Sequence, residues 1–202
     1  MARHRDVQAF DERSADYESG RLGGWHQRIA EWTVDIALAR HPTPLHVLDV
    51  GCGTGYLLRQ LAVRCPDAVG LFGVDPAGGM IEVARSAAAG DERLCFSIGV
   101  AEQLAYAAGS FDLVVSTTSF DHWADQKMGL AECARVMAPD GQLVLTDLFS
   151  VLFLPTLVVG HRGRARTIRR ANALLTLAGL RTIEWHKPSP FITILRAVTA
   201  EK

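Results

Sequence analysis

The sequence predicts an α/β protein with a mostly parallel sheet covered by helices on both faces, and three observations carry that prediction. Compact β-branched runs of strand length recur between residues 45 and 147. Between them lie segments whose apolar residues return at spacings of three and four, the period of a helix with one buried face. Near the C-terminus, two β-rich runs are separated by only a Pro-Ser-Pro connection, which is too short for a parallel crossover and so predicts an antiparallel hairpin.

Taken in order, "GWHQRIAEWTVDIALARH" (24–41) reads as an amphipathic helix stopped by Pro42 and Pro44. "LHVLDV" (45–50), "GLFGVD" (70–75), "LCFSIG" (94–99), "DLVVST" (112–117) and "QLVLTD" (142–147) read as buried parallel strands. "YLLRQLAVRC", "GGMIEVARSAAAG" and "QKMGLAECARVM" are the helices among them. Such alternation implies right-handed crossovers that place helices on both faces. Beyond the fifth strand, "ARTIRRANALLTLAGL" is helical and ends near Gly179, and "RTIEWHK" and "FITILRAV" form the terminal hairpin. The 202 residues are expected to form a single domain: an N-terminal helical cap (1–44), a cofactor-binding core (45–150), and a lid segment, helix and hairpin (151–202).

Composition narrows the function. A formal net charge of −1 gives no bulk attraction for nucleic acid. Cys52, Cys65, Cys95 and Cys133 form no CxxC pair and are expected to be buried reduced thiols, and the histidines show no H-x-x-H spacing, so no metal is expected. The N-terminus lacks an apolar signal region. The apolar window 148–159 contains Pro155 and is shorter than the roughly 20 residues of a membrane-spanning helix. A cytoplasmic protein, monomeric or homodimeric, without membrane insertion, is expected.

The chemistry is concentrated in "VLDVGCGTGYLL", where Gly51, Gly53 and Gly55 follow the first strand. Ligands of open α/β sheets bind beyond the carboxyl ends of the strands. Glycine there permits a left-handed turn and close approach of backbone to ligand, although glycines also serve simply to tighten a strand-to-helix turn. Asp75 ends the second strand 20 residues past Gly55, where a carboxylate accepts ribose hydroxyls. The spacing G-C-G-T-G departs from the dinucleotide pattern G-x-G-x-x-G. Asp49 would repel a pyrophosphate but suits a ligand carrying ammonium and sulfonium charge, which favours S-adenosylmethionine over NAD.

With these residues in view, the chain resembles the class I S-adenosylmethionine-dependent methyltransferases of the ubiquinone/menaquinone-methyltransferase-like small-molecule type. "VLDVGCGTGYL", "GVDPAGGMIEVAR", "AEQLAYAAGSFDLVVS" and "LAECARVMAPDGQLVLTD" match four family motifs in family order. The resemblance implies a Rossmann-like doubly wound seven-stranded sheet with an antiparallel last strand. It implies that Gly51, Cys52 and Gly53 lie against the methionine part of the cofactor, with Asp49 and Gly55 shaping the same loop. Asp75 would hold the ribose hydroxyls, Pro76 and Met80 would pack on the adenine, Ala101 and Glu102 would line its edge, and Ser116 and Thr117 would meet the cofactor at the fourth strand. Val100 stands where the family often has Asp, so Glu102 or backbone atoms would take the contact to the adenine amino group. Tyr17, in "FDERSADYESG", matches a common N-terminal Tyr that closes over the cofactor.

Methyl transfer from a sulfonium needs alignment and exclusion of water more than it needs a metal. His122, in "SFDHWAD", is either a general base for the acceptor or, with Trp123, a wall of its pocket. Asp125 is expected to cap the helix beginning near Gln126. Trp25 and Trp32 share a helix face and are expected in the core. The apolar stretch after the fifth strand, with Arg162, Arg164, Arg166, Arg169 and Arg170 behind it, suits a lid over an apolar acceptor or a dimer contact. The expected reaction is methyl transfer to an O, N or C atom of a small apolar or aromatic molecule, leaving S-adenosylhomocysteine. The alternatives are a nicotinamide-dependent oxidoreductase and a non-catalytic S-adenosylmethionine-binding protein.

Overall fold

The run His46–Val50 (β1) is buried at four of its five residues, as a strand covered on both faces must be. Around it a computed structural model, which describes residues 7–20, 22–148 and 167–200, builds a seven-stranded sheet. Its other strands are Gly70–Asp75 (β2), Leu94–Ile98 (β3), Phe111–Thr117 (β4), Met137–Asp147 (β5), Leu180–His186 (β6) and Thr193–Thr199 (β7). The strand order is β3-β2-β1-β4-β5-β7-β6. β1 pairs in parallel with both β2 and β4, and β7 runs antiparallel to both β5 and β6. The chain therefore leaves β1 toward one edge and returns to pair on its other side, so the switch in strand order lies at the carboxyl ends of β1 and β4.

The helices are Val7–Arg13 (α1), Gly23–Arg40 (α2), Tyr56–Arg64 (α3), Gly78–Ala87 (α4), Gln126–Val136 (α5) and Ile168–Leu177 (α6). Ile29 and Val34 of α2, Leu58 and Leu61 of α3 and Ile81 of α4 pack with Val47, Leu71 and Val115 on one face. Leu130 and Cys133 of α5 and Ala171 and Leu175 of α6 pack with Leu48, Val114 and Leu195 on the other. The alternation of Val114 and Val115 between these layers is the period-two pleat of a strand buried on both sides. No helix among the described residues is long and apolar enough to cross a membrane.

Several expectations need correction. β5 begins at Met137 rather than Gln142. Met137 pairs with Phe111 before the register shifts ahead of Leu113, and Pro139 and Asp140 in the irregular stretch mask its strand character. Cys95 is exposed because β3 is a sheet edge. Trp25 stays 38% exposed, its ring meeting Trp32 edge-on at 6.0 Å while Trp32 packs against the core. Within the N-terminal cap, where the sequence marks only the helix 24–41, the chain also forms α1 and a 3-10 turn, Ser14–Asp16. Seven residues are too few for a helix to stand alone, so tertiary contacts hold it. The lid expected after β5 and Arg162, Arg164 and Arg166 lie outside the described residues; Arg169 and Arg170 occupy the exposed first turn of α6.

Candidate functional site

β1 passes into α3 through a turn in which Gly51, Gly53 and Gly55 have φ of 78°, 53° and 75°, the left-handed region that glycine enters without strain. The three glycines do different work. A Cβ on Gly51 would fall 1.8 Å from Ser119 Oγ, and one on Gly55 would fall 2.6 Å from the Phe96 ring, so these two permit close packing. A Cβ on Gly53 would meet nothing within 4 Å, because this residue faces open space. The turn is tied to β2 by Gly51 N–H and Cys52 N–H, which donate to Val74 O at 2.8 and 3.0 Å. It is tied again where Asp75 Oδ2 accepts from Gly53 N–H at 3.0 Å. Asp75 Oδ1 accepts from Ala77 N–H at 2.9 Å at the head of α4.

Above this turn lie two adjoining cavities that share Tyr17, Gly51, Gly53, Thr117 and Thr118 in their walls. The first continues over Asp75, Pro76 and Met80 on one side and to Ser119 and His122 on the other. The second runs down to Asp49, Cys52 and Thr54 and out to His26 and Gln27. Asp49 is 2% exposed, and its Oδ1 has no hydrogen-bond partner among the described residues. Burial, reinforced by the charge of Asp75, pushes its carboxyl up to about 8. Burial also raises Asp75, while the amides of Ala77 and Gly53 pull it back. A polar, acid-lined floor of this kind suits a ligand that brings positive charge.

The N-terminal segment supplies the roof. Val7 and Phe10 of α1 line the first cavity, and the Phe10 ring meets His122 edge-on at 5.2 Å. Tyr17 stacks on His26 with ring centroids 4.8 Å apart. Burial pushes the Tyr17 hydroxyl up to about 12, so it stays neutral, and burial with the nearby Arg13 charge lowers the His26 imidazole. At the end of β4, Thr118 adopts φ of 52°, and it is the non-glycine residue with positive φ among those described. Its N–H donates to Thr146 O at 2.8 Å, which fastens the bend to β5.

Of the residues singled out in the sequence, Tyr17, Asp49, Gly51, Cys52, Gly53, Asp75, Pro76, Met80, Thr117 and His122 lie in the cavity walls. Gly55, Ala101, Glu102 and Ser116 do not. Gly55 packs on Phe96. Ala101 is buried beneath Gly129 of α5. Glu102 Oε1 accepts from Asp125 N–H at 2.8 Å at the start of α5, where Asp125 itself caps through Met128 N–H at 3.0 Å. Ser116 is wholly buried because strand alternation turns it away from the face that Thr117 presents. Sequence reasoning missed Val7, Phe10, Thr118 and Ser119 in the first cavity, and Glu18, Gly23, His26, Gln27, Ala30, Thr54, Tyr56 and Leu57 in the second. The seven-residue spacing of Phe10 and Tyr17 was an available signal; nothing in a Thr-Thr pair announces a left-handed turn.

Residues 48–145 match the family model described as a methyltransferase domain. The chain is 34% identical over 190 residues to a malonyl-[acyl-carrier protein] O-methyltransferase of Geobacter sulfurreducens, covering 87% of this chain and 70% of that protein. It is 37% identical over 125 residues to a demethylmenaquinone methyltransferase of Deinococcus radiodurans, covering 61% of this chain and 49%, about half, of that protein. Among solved structures it resembles the magnesium protoporphyrin IX methyltransferase of Synechocystis PCC 6803 with bound SAH. That match has a TM-score of 0.76 at 20% identity, over 96% of this chain and 95% of the other. Motifs, sheet order and relatives agree: the chain belongs to the class I S-adenosylmethionine-dependent methyltransferases.

Proposed function

We propose that the chain transfers a methyl group from S-adenosylmethionine to an O, N or C atom of a small, apolar or aromatic acceptor, and that the two adjoining cavities are where this occurs. The observation that carries the reading is the glycine turn with its acids. Gly53 leaves open space where any side chain would intrude, beside a buried carboxylate oxygen of Asp49 with no hydrogen-bond partner among the described residues. These residues fit a cofactor bearing ammonium and sulfonium charge. The bound cofactor supplies a carbon already activated for in-line displacement, so the protein's contribution is alignment and exclusion of water.

In this reading Gly51, Cys52, Gly53 and Asp49 hold the methionine end. Asp75 accepts from the ribose through lone pairs not used by its two backbone amides, and Pro76 and Met80 pack on the adenine. Tyr17 closes the cleft. Thr117, Thr118 and His122 border the acceptor side. The edge contact between His122 and Phe10 favours His122 as a pocket wall. His122→Ala tests this directly, since a wall residue moves KM for the acceptor, whereas a base lost from an acceptor that needs deprotonation lowers kcat by about 10²–10⁴-fold. The net charge of −1 accords with a small-molecule acceptor rather than nucleic acid, in a protein working in the cytoplasm. A panel of phenolic, quinol and carboxylate acceptors, assayed for S-adenosylhomocysteine release, tests the reading. Turnover on a member of the panel is expected, and binding of the cofactor without turnover on any acceptor would favour a non-catalytic role.

A further inference from the structure

Both aromatic rings that roof the cleft are followed in sequence by an acid, and each acid fastens the N-terminal segment to the cofactor core. After Phe10 comes Asp11, whose Oδ1 accepts from Gly79 N–H at 2.8 Å in the first turn of α4. A Cβ on Gly79 would lie only 2.8 Å from Ser14 Oγ, so the segment is seated tightly there. After Tyr17 comes Glu18, the centre of a denser set of contacts. Its carboxylate accepts both from Arg59 Nη2, at 2.7 and 2.9 Å, and from Thr54 Oγ1 at 2.6 Å. Arg59 Nη1 in turn donates to Thr54 O at 2.6 Å. Thr54 belongs to the glycine turn and Arg59 to α3, so one carboxylate joins the roof, the floor and the helix behind the floor.

The pair is partly shielded, with side-chain exposures of 20% for Arg59 and 31% for Glu18. Each Glu18 contact is charge-assisted, a class roughly twice as strong as a neutral hydrogen bond. A surface ion pair without the third partner would contribute little. Among the described residues the Tyr17 side chain makes no hydrogen bond: it stacks on His26 and forms wall in both cavities. Its position over Gly51 and Gly53 is therefore inherited from its neighbour.

We propose that Glu18 is a positioning residue for the methyl-transfer reaction. Glu18 and Thr54 also stand in the wall of the second cavity; through Arg59 and Thr54, Glu18 holds Tyr17 across the cleft and sets how fast cofactor and product leave. The proposal rests on the reading of the cleft as the cofactor site. Nothing in the family motifs assigns Glu18, Arg59 or Thr54 this part.

The test is the dissociation rate of S-adenosylhomocysteine, measured by displacement in stopped flow, for wild type, Glu18→Gln, Arg59→Lys and the exchange Glu18→Arg/Arg59→Glu. Thermal melting of the unliganded proteins is measured alongside. Glu18→Gln should release the product on the order of tenfold faster, and Arg59→Lys, which keeps the charge and loses the planar fork, several-fold faster. Melting of the unliganded proteins should move little, and the exchange should recover part of the wild-type rate. Hydrogen exchange in residues 7–20 should accelerate in Glu18→Gln while the sheet is unchanged, a result legible even where a variant is less stable. Equal release rates in wild type and both single variants, or faster release without loosening of residues 7–20, would overturn the proposal. Failure of the wild-type protein to bind S-adenosylhomocysteine at all would instead overturn the cofactor reading, and the proposal with it.

Discussion

At Asp49 the folded chain keeps a proton that an unfolded chain has lost, because burial lifts the carboxyl from 3.8 to about 8. The sign follows: this group's contribution to stability is fully present below the ordinary carboxylate range and is lost as pH rises through 8. A ligand bringing an ammonium group favours the ionised carboxylate, so binding expels the proton. Calorimetry of S-adenosylhomocysteine in buffers of different ionisation enthalpy, at about pH 6.5, should show release approaching one proton per chain, reduced in Asp49→Asn. Thr118 offers a second residue-scale prediction. A β-branched residue at φ of 52° carries strain of about 1–2 kcal/mol, which Asn tolerates better. Thr118→Asn should raise Tm by about 2–4 °C, as roughly 1 kcal/mol does for a chain of this size, and slow methyl transfer, because the bend borders both cavities. A lower Tm would show that the conformation costs nothing.

The element on which the proposed function depends is the turn from β1 to α3, and its glycines separate packing from the proposed ligand contact. Gly51→Ala forces a Cβ into Ser119 and should cost about 2–4 kcal/mol of stability, read by denaturant unfolding. Gly53→Ala has room in the free protein and should cost only about 1 kcal/mol, while weakening S-adenosylhomocysteine on the order of tenfold. Equal effects on both properties at both positions would remove this division of labour. The turn was legible in the sequence because a strand, three glycines and a distant acid are local signals. Ser116 and Thr117 show where that legibility stops: the motif named both, but only the pleat decides which of two neighbours faces the cleft. α1 was illegible for a related reason. Its seven residues have no periodic signal of their own, and its place comes from contacts with α4, far along the chain.

At the scale of the molecule, the sheet order follows from short runs whose apolar pattern repeats, and the C-terminal reversal follows from a connection too short to cross over. The roof does not follow from any such pattern, since Asp11 and Glu18 find Gly79, Thr54 and Arg59 only once the sheet has brought α3 and α4 side by side. The central claim is that the hollow between this roof and the glycine turn holds S-adenosylmethionine. Titrating S-adenosylhomocysteine into the intact chain and into Gly53→Ala by calorimetry tests it most directly. Saturable binding to the wild-type protein, weakened by the added methyl group while the fold persists, is the predicted result. No measurable heat from the wild-type protein, or an affinity indifferent to Gly53→Ala, would contradict it.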